Sequence, residues 1–256
     1  MTTFVTSIFR LNQSKPIDER KSIENRIKYF EELLNYGIKI SIICCPFYEK
    51  ILQPYIQKYS NIKIIEIMEL KNTVISKICD KYEKKYGTLI LPTTRNGDKD
   101  NKEYMILMNS KLEFIKKAID KNVWNTKYFC WIDFSIKYIV KNEEKTKQNI
   151  LKISQYQMPL YQNSLMNIII PGCVSKKDMF HLDCIDWRFC GGIIYGYKDD
   201  LIDFYDLNYI YFKQFIEKYK TLVWEVNIWS WMEFIEIFNP HWTYGDHNDS
   251  IFELVN

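Results

Sequence analysis

Glycine and proline are scarce, 8 and 7 residues in a chain of 256. Collagen-like, flexible-linker and proline-rich disordered architectures need far more of both, so they are excluded. The seven cysteines include the adjacent Cys44 and Cys45 but no C-x-x-C pair, which argues against a zinc or disulfide framework. Most lie in apolar stretches and read as small core residues, Cys190 included. Three histidines, His181, His241 and His247, are too few for a histidine-rich metal centre. No apolar run approaches the roughly 20 residues of a membrane span. The start, Met1 to Arg10, lacks the basic segment and long apolar core of a secretion signal. Free thiols and the lack of a signal point to a reducing, cytoplasmic setting. Charge of one sign is also missing: 35 Lys and Arg against 32 Asp and Glu leave +3. The lysines are scattered and form no basic arm, so nucleic acid is not an expected partner. The phosphate-loop, dinucleotide, nucleophile-elbow and zinc-protease signatures are all absent.

What is present is a chain long enough to bury a large core. Aromatic residues make up 16%, with 19 Tyr and 7 Trp. The pattern predicts strands over Thr3–Phe9, Ile38–Cys45 and Ile62–Met68, with helices over Asp18–Tyr36 and Phe47–Tyr59 between them. That is a β-α-β-α-β unit and predicts a parallel sheet with right-handed crossovers. Helix is expected over Val74–Tyr86, Glu103–Asn122, Asp199–Lys220 and Trp224–Phe238. A loop is expected from Arg10 to Ile17 and another over Leu89–Lys99; residues 141–165 read as loop and short helix. Strands are expected at Asn167–Pro171 and, interrupted by glycines, at Trp187–Tyr197. The chain reads as one α/β domain, with a nucleotide-binding half to residue 135 and a specificity half over 136–256.

The run Tyr128-Phe129-Cys130-Trp131-Ile132 leads into Asp133. An apolar run of that length reads as a strand buried on both faces. A carboxylate at its end must be solvated, paired or bound to a cation. Ligands of open α/β sheets sit at the carboxyl ends of the strands, so Asp133 is either a site residue or a turn cap. The other candidate acids are Asp183, Asp186, Glu225 and Asp246, the last beside His247. Oxygen ligands with one imidazole suit Mg²⁺ or Mn²⁺.

Five blocks, in order, resemble the HtrL/YibB family: Phe4-Val-Thr-Ser-Ile-Phe, Asn109-Ser-Lys-Leu-Glu-Phe-Ile, Phe129-Cys-Trp-Ile-Asp-Phe, Trp187-Arg-Phe-Cys-Gly-Gly-Ile-Ile-Tyr-Gly and Trp224-Glu-Val-Asn-Ile-Trp. That family looks like nucleotide-sugar-dependent glycosyltransferases of the GT-A fold. Members also occur in giant DNA viruses, a source that the Ile/Lys/Asn/Tyr bias would suit. The resemblance implies a GT-A-like, mostly parallel sheet flanked by helices. It implies transfer of a sugar from a nucleotide diphosphate, in the first place a UDP-sugar, to a glycan, lipid or protein hydroxyl. Asp133 matches the acid that binds Mn²⁺ or Mg²⁺ on the diphosphate, although Trp131 and Ser135 stand where a second motif acid would be. His247 is the candidate second metal ligand. Thr6 and Arg10 match the base and ribose end; Asn109, Lys111 and Arg95 are candidates for the phosphates. Gly191 and Gly192 would pass the donor sugar, with Trp187 and Trp224 as stacking surfaces. Glu225 is the candidate general base and Asp186 the second choice. Plainer roles stand beside these: helix-start charge for Glu225, solvated cations for Arg10 and Lys111, a bulge for the glycines. The alternatives to transfer are a catalytically degenerate sugar-nucleotide or glycan-binding module and a metal-dependent nucleotidyltransferase.

Overall fold

The computed structural model describes residues 1–11, 22–159, 167–176 and 179–255. Among the described residues, seven strands form one mixed sheet in the order β3-β2-β1-β4-β6-β5-β7. They are β1 (Thr2–Ile8), β2 (Lys39–Cys44), β3 (Ile62–Ile67), β4 (Tyr128–Ile132), β5 (Ile168–Gly172), β6 (Ile193–Tyr197) and β7 (His241–Tyr244). The first four run parallel, as the β-α-β-α-β pattern requires. β6 is antiparallel to both β4 and β5, while β7 is parallel to β5. Only β6 therefore runs against the rest. β1 and β4 lie inside the sheet, and every residue of both is buried. The unbroken apolar run of β4 answers to cover on both faces, while β1 buries Thr2, Thr3, Thr6 and Ser7 beside its apolar residues.

Eight α-helices flank the sheet among the described residues: α1 (Ile23–Leu34), α2 (Pro46–Lys58), α3 (Val74–Tyr86), α4 (Lys102–Asn109), α5 (Lys111–Lys121), α6 (Glu143–Gln155), α7 (Lys198–Tyr219) and α8 (Glu225–Phe234). Their starts are written in the sequence. Ser22, Thr73, Asn101 and Asn142 each cap a helix by accepting a backbone N–H of its first turn, and Pro46 opens α2. α5 packs on β1 and β4 and against α7, which packs in turn on α8.

Four expectations are corrected. The helix expected over Glu103–Asn122 is two helices, broken at Ser110, whose backbone turns to φ −88°, ψ 0°. There the Ser110 hydroxyl donates to Ile106 O at 2.8 Å and the Asn109 amide reaches across to Val223 O. Residues 143–155, within the stretch read as loop and short helix, form a 13-residue helix whose buried face is Thr146, Asn149, Ile150 and Ile153. Two of those four are polar, which hid the period. The glycine-interrupted strand begins at Ile193, so Gly191 and Gly192 lie in the turn before it. β7 lies beyond the last expected helix, where no strand is expected, and forms because it pairs with β5, a partner some 70 residues away. The expected Arg10–Ile17 loop and the start of the Asp18 helix lie largely outside the described residues.

Candidate functional site at the carboxyl end of the sheet

Because only β6 is reversed, the carboxyl ends of β4, β5 and β7 and the amino end of β6 share one edge of the sheet. Asp133 follows the last residue of β4, and its N–H donates to Gly192 O at 3.0 Å. Two residues apart on a strand, Trp131 and Asp133 point to the same side. The Trp131 indole donates to Asp133 Oδ1 at 2.7 Å. The same oxygen lies 3.1 Å from Lys111 Nζ. Asp133 keeps 38% of its side chain exposed and faces a cleft of about 170 Å³.

Lys111 is the first residue of α5, and only 2% of it is exposed. Its ammonium donates to Glu225 Oε1 and to Gly191 O, both at 2.8 Å. Three acceptors thus surround one buried cation. Burial alone would drive the Lys111 pKa down; Asp133 and Glu225 outweigh it and hold the ammonium above its ordinary value. Glu225, also buried, opens α8, where the helix start favours a negative charge. A Cβ on Gly191 would lie 2.1 Å from Glu225 Oε1, so the missing side chain is what admits the carboxylate. The two helix starts are joined twice. Asn109 Nδ2 donates to Val223 O at 2.8 Å, and two residues on in both segments Lys111 meets Glu225.

Tyr104, Ile136, Trp187, Trp224, Ile251 and His247 complete much of the cleft wall. Burial, then the charges of Glu225 and Asp133, push the Tyr104 hydroxyl pKa well up, so it stays a neutral donor. The Trp187 ring, 38% exposed, meets the His247 ring edge-on with centroids 4.2 Å apart.

Of the residues singled out in the sequence, Asp133, Lys111, Glu225, Gly191, Gly192, Trp187, Trp224 and His247 meet in this cleft. The others stand elsewhere among the described residues. Thr6 is fully buried in β1. Arg10 lies over the Phe47 ring, 4.9 Å from its centroid, and Arg95 bonds its own loop at Pro92 O. Asn109 spends its amide on Met105 O and Val223 O. Asp186 accepts from Arg188 N at 3.2 Å, beside the buried Arg188–Glu233 pair. His247 was expected to share a metal with Asp133. Both line the cleft, and among the described residues the one set of three side chains placed to hold an ion is His247 with Cys173 and Cys190.

Two residues escaped the sequence reading. Cys173 gives no signal in sequence, because its partners come from other segments. Asn227 did give one, a lone amide in an apolar helix that must be satisfied when buried. It is fully buried, donates to His181 O and Cys184 O at 2.7 Å each, and accepts from Asp186 N. It pins the loop before Trp187.

Fold and cleft together define an α/β protein with a ligand-type cleft at the strand ends of a mostly parallel sheet. The chain belongs to the HtrL_YibB family, described as "bacterial protein of unknown function", whose profile matches residues 1–228. Comparison with curated proteins gives no match. Among solved structures, mouse xyloside xylosyltransferase 1 in its apo form is similar at 7% identity and a TM-score of 0.47, over 96% of this chain and 85% of that one. The 4-diphosphocytidyl-2C-methyl-D-erythritol synthase of Anaerococcus prevotii is similar at 10% identity and a TM-score of 0.41, over 98% of this chain and 89% of that one. No helix among the described residues is long and apolar enough to cross a membrane.

Proposed function

We propose that this chain is a GT-A-like glycosyltransferase that moves a sugar from a nucleotide diphosphate, a UDP-sugar in the first place, to a hydroxyl of a glycan, lipid or protein. The observation that carries the reading is the convergence of Asp133, Lys111 and Glu225 on one cleft at the carboxyl end of the sheet. The Lys111 ammonium, spent on two carboxylates and Gly191 O, fixes the positions of Asp133 and Glu225 in advance of the reaction. Glu225 gives Oε1 to Lys111, which leaves Oε2 to take the proton of the attacking hydroxyl. The exposed face of Trp187 offers a stacking surface to a sugar ring. The half before residue 136 supplies the nucleotide side in this reading, and the half after it the acceptor side.

A Mn²⁺ or Mg²⁺ ion fits as the companion of the donor. Such ions are commonly held by one or two carboxylates together with substrate phosphates. Asp133 has one oxygen occupied by Trp131 and Lys111, and Oδ2 remains for an ion. Bound there, the ion would supply further electrostatic stabilisation of the diphosphate. The pairing of Lys111 with both acids favours a second reading, a sugar-nucleotide-binding module without turnover.

The test uses the purified chain with a panel of UDP-sugars, with and without Mn²⁺. A ligand at one hundred times its Kd should stabilise the fold by about 2.7 kcal/mol. UDP release should follow, and Glu225→Gln should lower kcat by about 10²–10⁴-fold while donor binding persists. Binding by the wild type without any donor consumption would establish the binding module. Consumption of a nucleoside triphosphate with a sugar phosphate would establish a nucleotidyltransferase. Equal UDP–Mn²⁺ binding by Asp133→Ala would remove Asp133 from the metal.

A further inference from the structure

Beside the cleft, three backbone segments are stitched together. Cys190 N donates to Pro171 O at 2.6 Å and Cys173 N to Trp187 O at 3.0 Å, which ties the end of β5 to the loop before β6. Gly245 N donates to Gly172 O at 3.0 Å and brings in the end of β7. Gly172 has no room for a side chain, since a Cβ there would lie 1.9 Å from Arg188 O. This close approach sets Cys173 Sγ 3.5 Å from Cys190 Sγ, with His247 alongside; one ligand atom from each of the three lies within 4.8 Å of the others. Asp246 Oδ1 is 3.2 Å from Cys173 Sγ and 3.4 Å from His247 Nδ1.

We propose that Cys173, Cys190 and His247 form a zinc site, with Asp246 as the carboxylate that orients the imidazole. Two thiolates on one tetrahedral zinc, each at about 2.3 Å, stand about 3.7 Å apart. The sulfur separation here is already close to that. A carboxylate on the far nitrogen of a ligating histidine is the usual second partner of such sites; with Asp246 Oδ1 3.4 Å from His247 Nδ1, Nε2 would be the ligand atom. Sulfur and imidazole together select a soft or borderline ion, unlike the oxygen donors of Asp133. Each thiol gives its proton to solvent as the ion binds. Three protein ligands leave a fourth position for water, and His247 lies on the cleft wall. The ion would thus fix the wall that carries Trp187, whether or not the cleft transfers sugars.

The test is a metal titration of the full chain without any donor, so its outcome is independent of the transfer reading. The reduced, metal-stripped protein is titrated with Co²⁺ and then with Zn²⁺. The expected result is one Co²⁺ per chain, an intense thiolate-to-cobalt charge-transfer band, and displacement of that ion by Zn²⁺. Cys173→Ser and Cys190→Ser should each lose the band, and Cys184→Ser, at an exposed thiol, should keep it. His247→Ala alters an exposed side chain and so tests the site if the buried-cysteine variants fail to fold; it should weaken Co²⁺ by at least about tenfold. Asp246→Asn should cost about 10–100-fold. A missing charge-transfer band would overturn the proposal. So would a band unchanged in His247→Ala, or a Cys173–Cys190 disulfide that forms despite saturating Zn²⁺.

Discussion

Replacing Lys111 with methionine keeps an unbranched side chain, one atom shorter, and removes its charge. In the native protein the ammonium is 2% exposed and serves three acceptors, Asp133 Oδ1 at 3.1 Å and Glu225 Oε1 and Gly191 O at 2.8 Å. Asp133 still reaches the solvent of the cleft and keeps the Trp131 indole. Glu225 does not; it would be left buried and without its cation. Breaking one side of a buried pair in this way costs about 3–5 kcal/mol. For a chain of this size each kcal/mol moves Tm by about 2–4 °C, so Tm should fall by roughly 6–20 °C. Urea unfolding followed by the fluorescence of the seven tryptophans reads the same loss as a lower midpoint at unchanged slope. A double-mutant cycle with Glu225→Gln isolates the pair: the double variant should cost less than the two single losses together, by about 1–3 kcal/mol. A single-variant loss under about 1 kcal/mol, or strict additivity, would refute the claim that Lys111 and Glu225 form a buried, coupled pair.

Three further outcomes follow from the same structure. Gly191→Ala places a methyl 2.1 Å from Glu225 Oε1 and should cost about 1–3 kcal/mol in denaturant unfolding, with UDP release falling as the carboxylate is displaced. Asn227→Ala removes two donated bonds and one accepted bond at a fully buried site, so it should cost about 2–3 kcal/mol and speed limited proteolysis of the 181–186 loop. Asp249 accepts from the backbone of Lys141 and Asn142 and from the Thr146 hydroxyl. Burial would raise its pKa, but these bonds outweigh it and hold the carboxyl below its usual 3.8. A depressed pKa gives stability that is present above 3.8 and is lost as pH falls through the folded value. Asp249→Asn should therefore be less stable than wild type at neutral pH, by about 1–2 kcal/mol, and the gap should close below about pH 4.

The parallel core was legible because strong local signals agree there. Buried apolar runs, with Thr73 and Pro46 just ahead of the helices expected from Val74 and Phe47, mark boundaries that the fold keeps. The apolar run ending in Asp133 also exposed a site residue, because a carboxylate there must have a reason. What stayed hidden depends on contacts between distant segments. Lys111 is singled out only by the family resemblance, and for phosphate; the break at Ser110 and the arrival of α8 make it a buried cation paired with Glu225. Cys173 and Cys190 are 17 residues apart, a spacing that belongs to no ligand motif, and they meet only because β5 and the loop before β6 are stitched together. β7 has too few residues to show a period and exists by its pairing with β5.

The charge of the triad bears on the order in which ligands arrive. One ammonium faces two carboxylates, so the group carries a formal charge of −1. Lys99, also on the cleft wall, is already paired with Asp100 and does not change that sum. A nucleotide diphosphate brings more negative charge, and the cleft by itself repels it. A divalent cation turns −1 into +1 and reverses the sign of the field that the donor meets. In the proposed transfer reaction, the ion should enter first or travel with the donor. The donor's KM should then fall as Mn²⁺ rises, with no matching change for the acceptor.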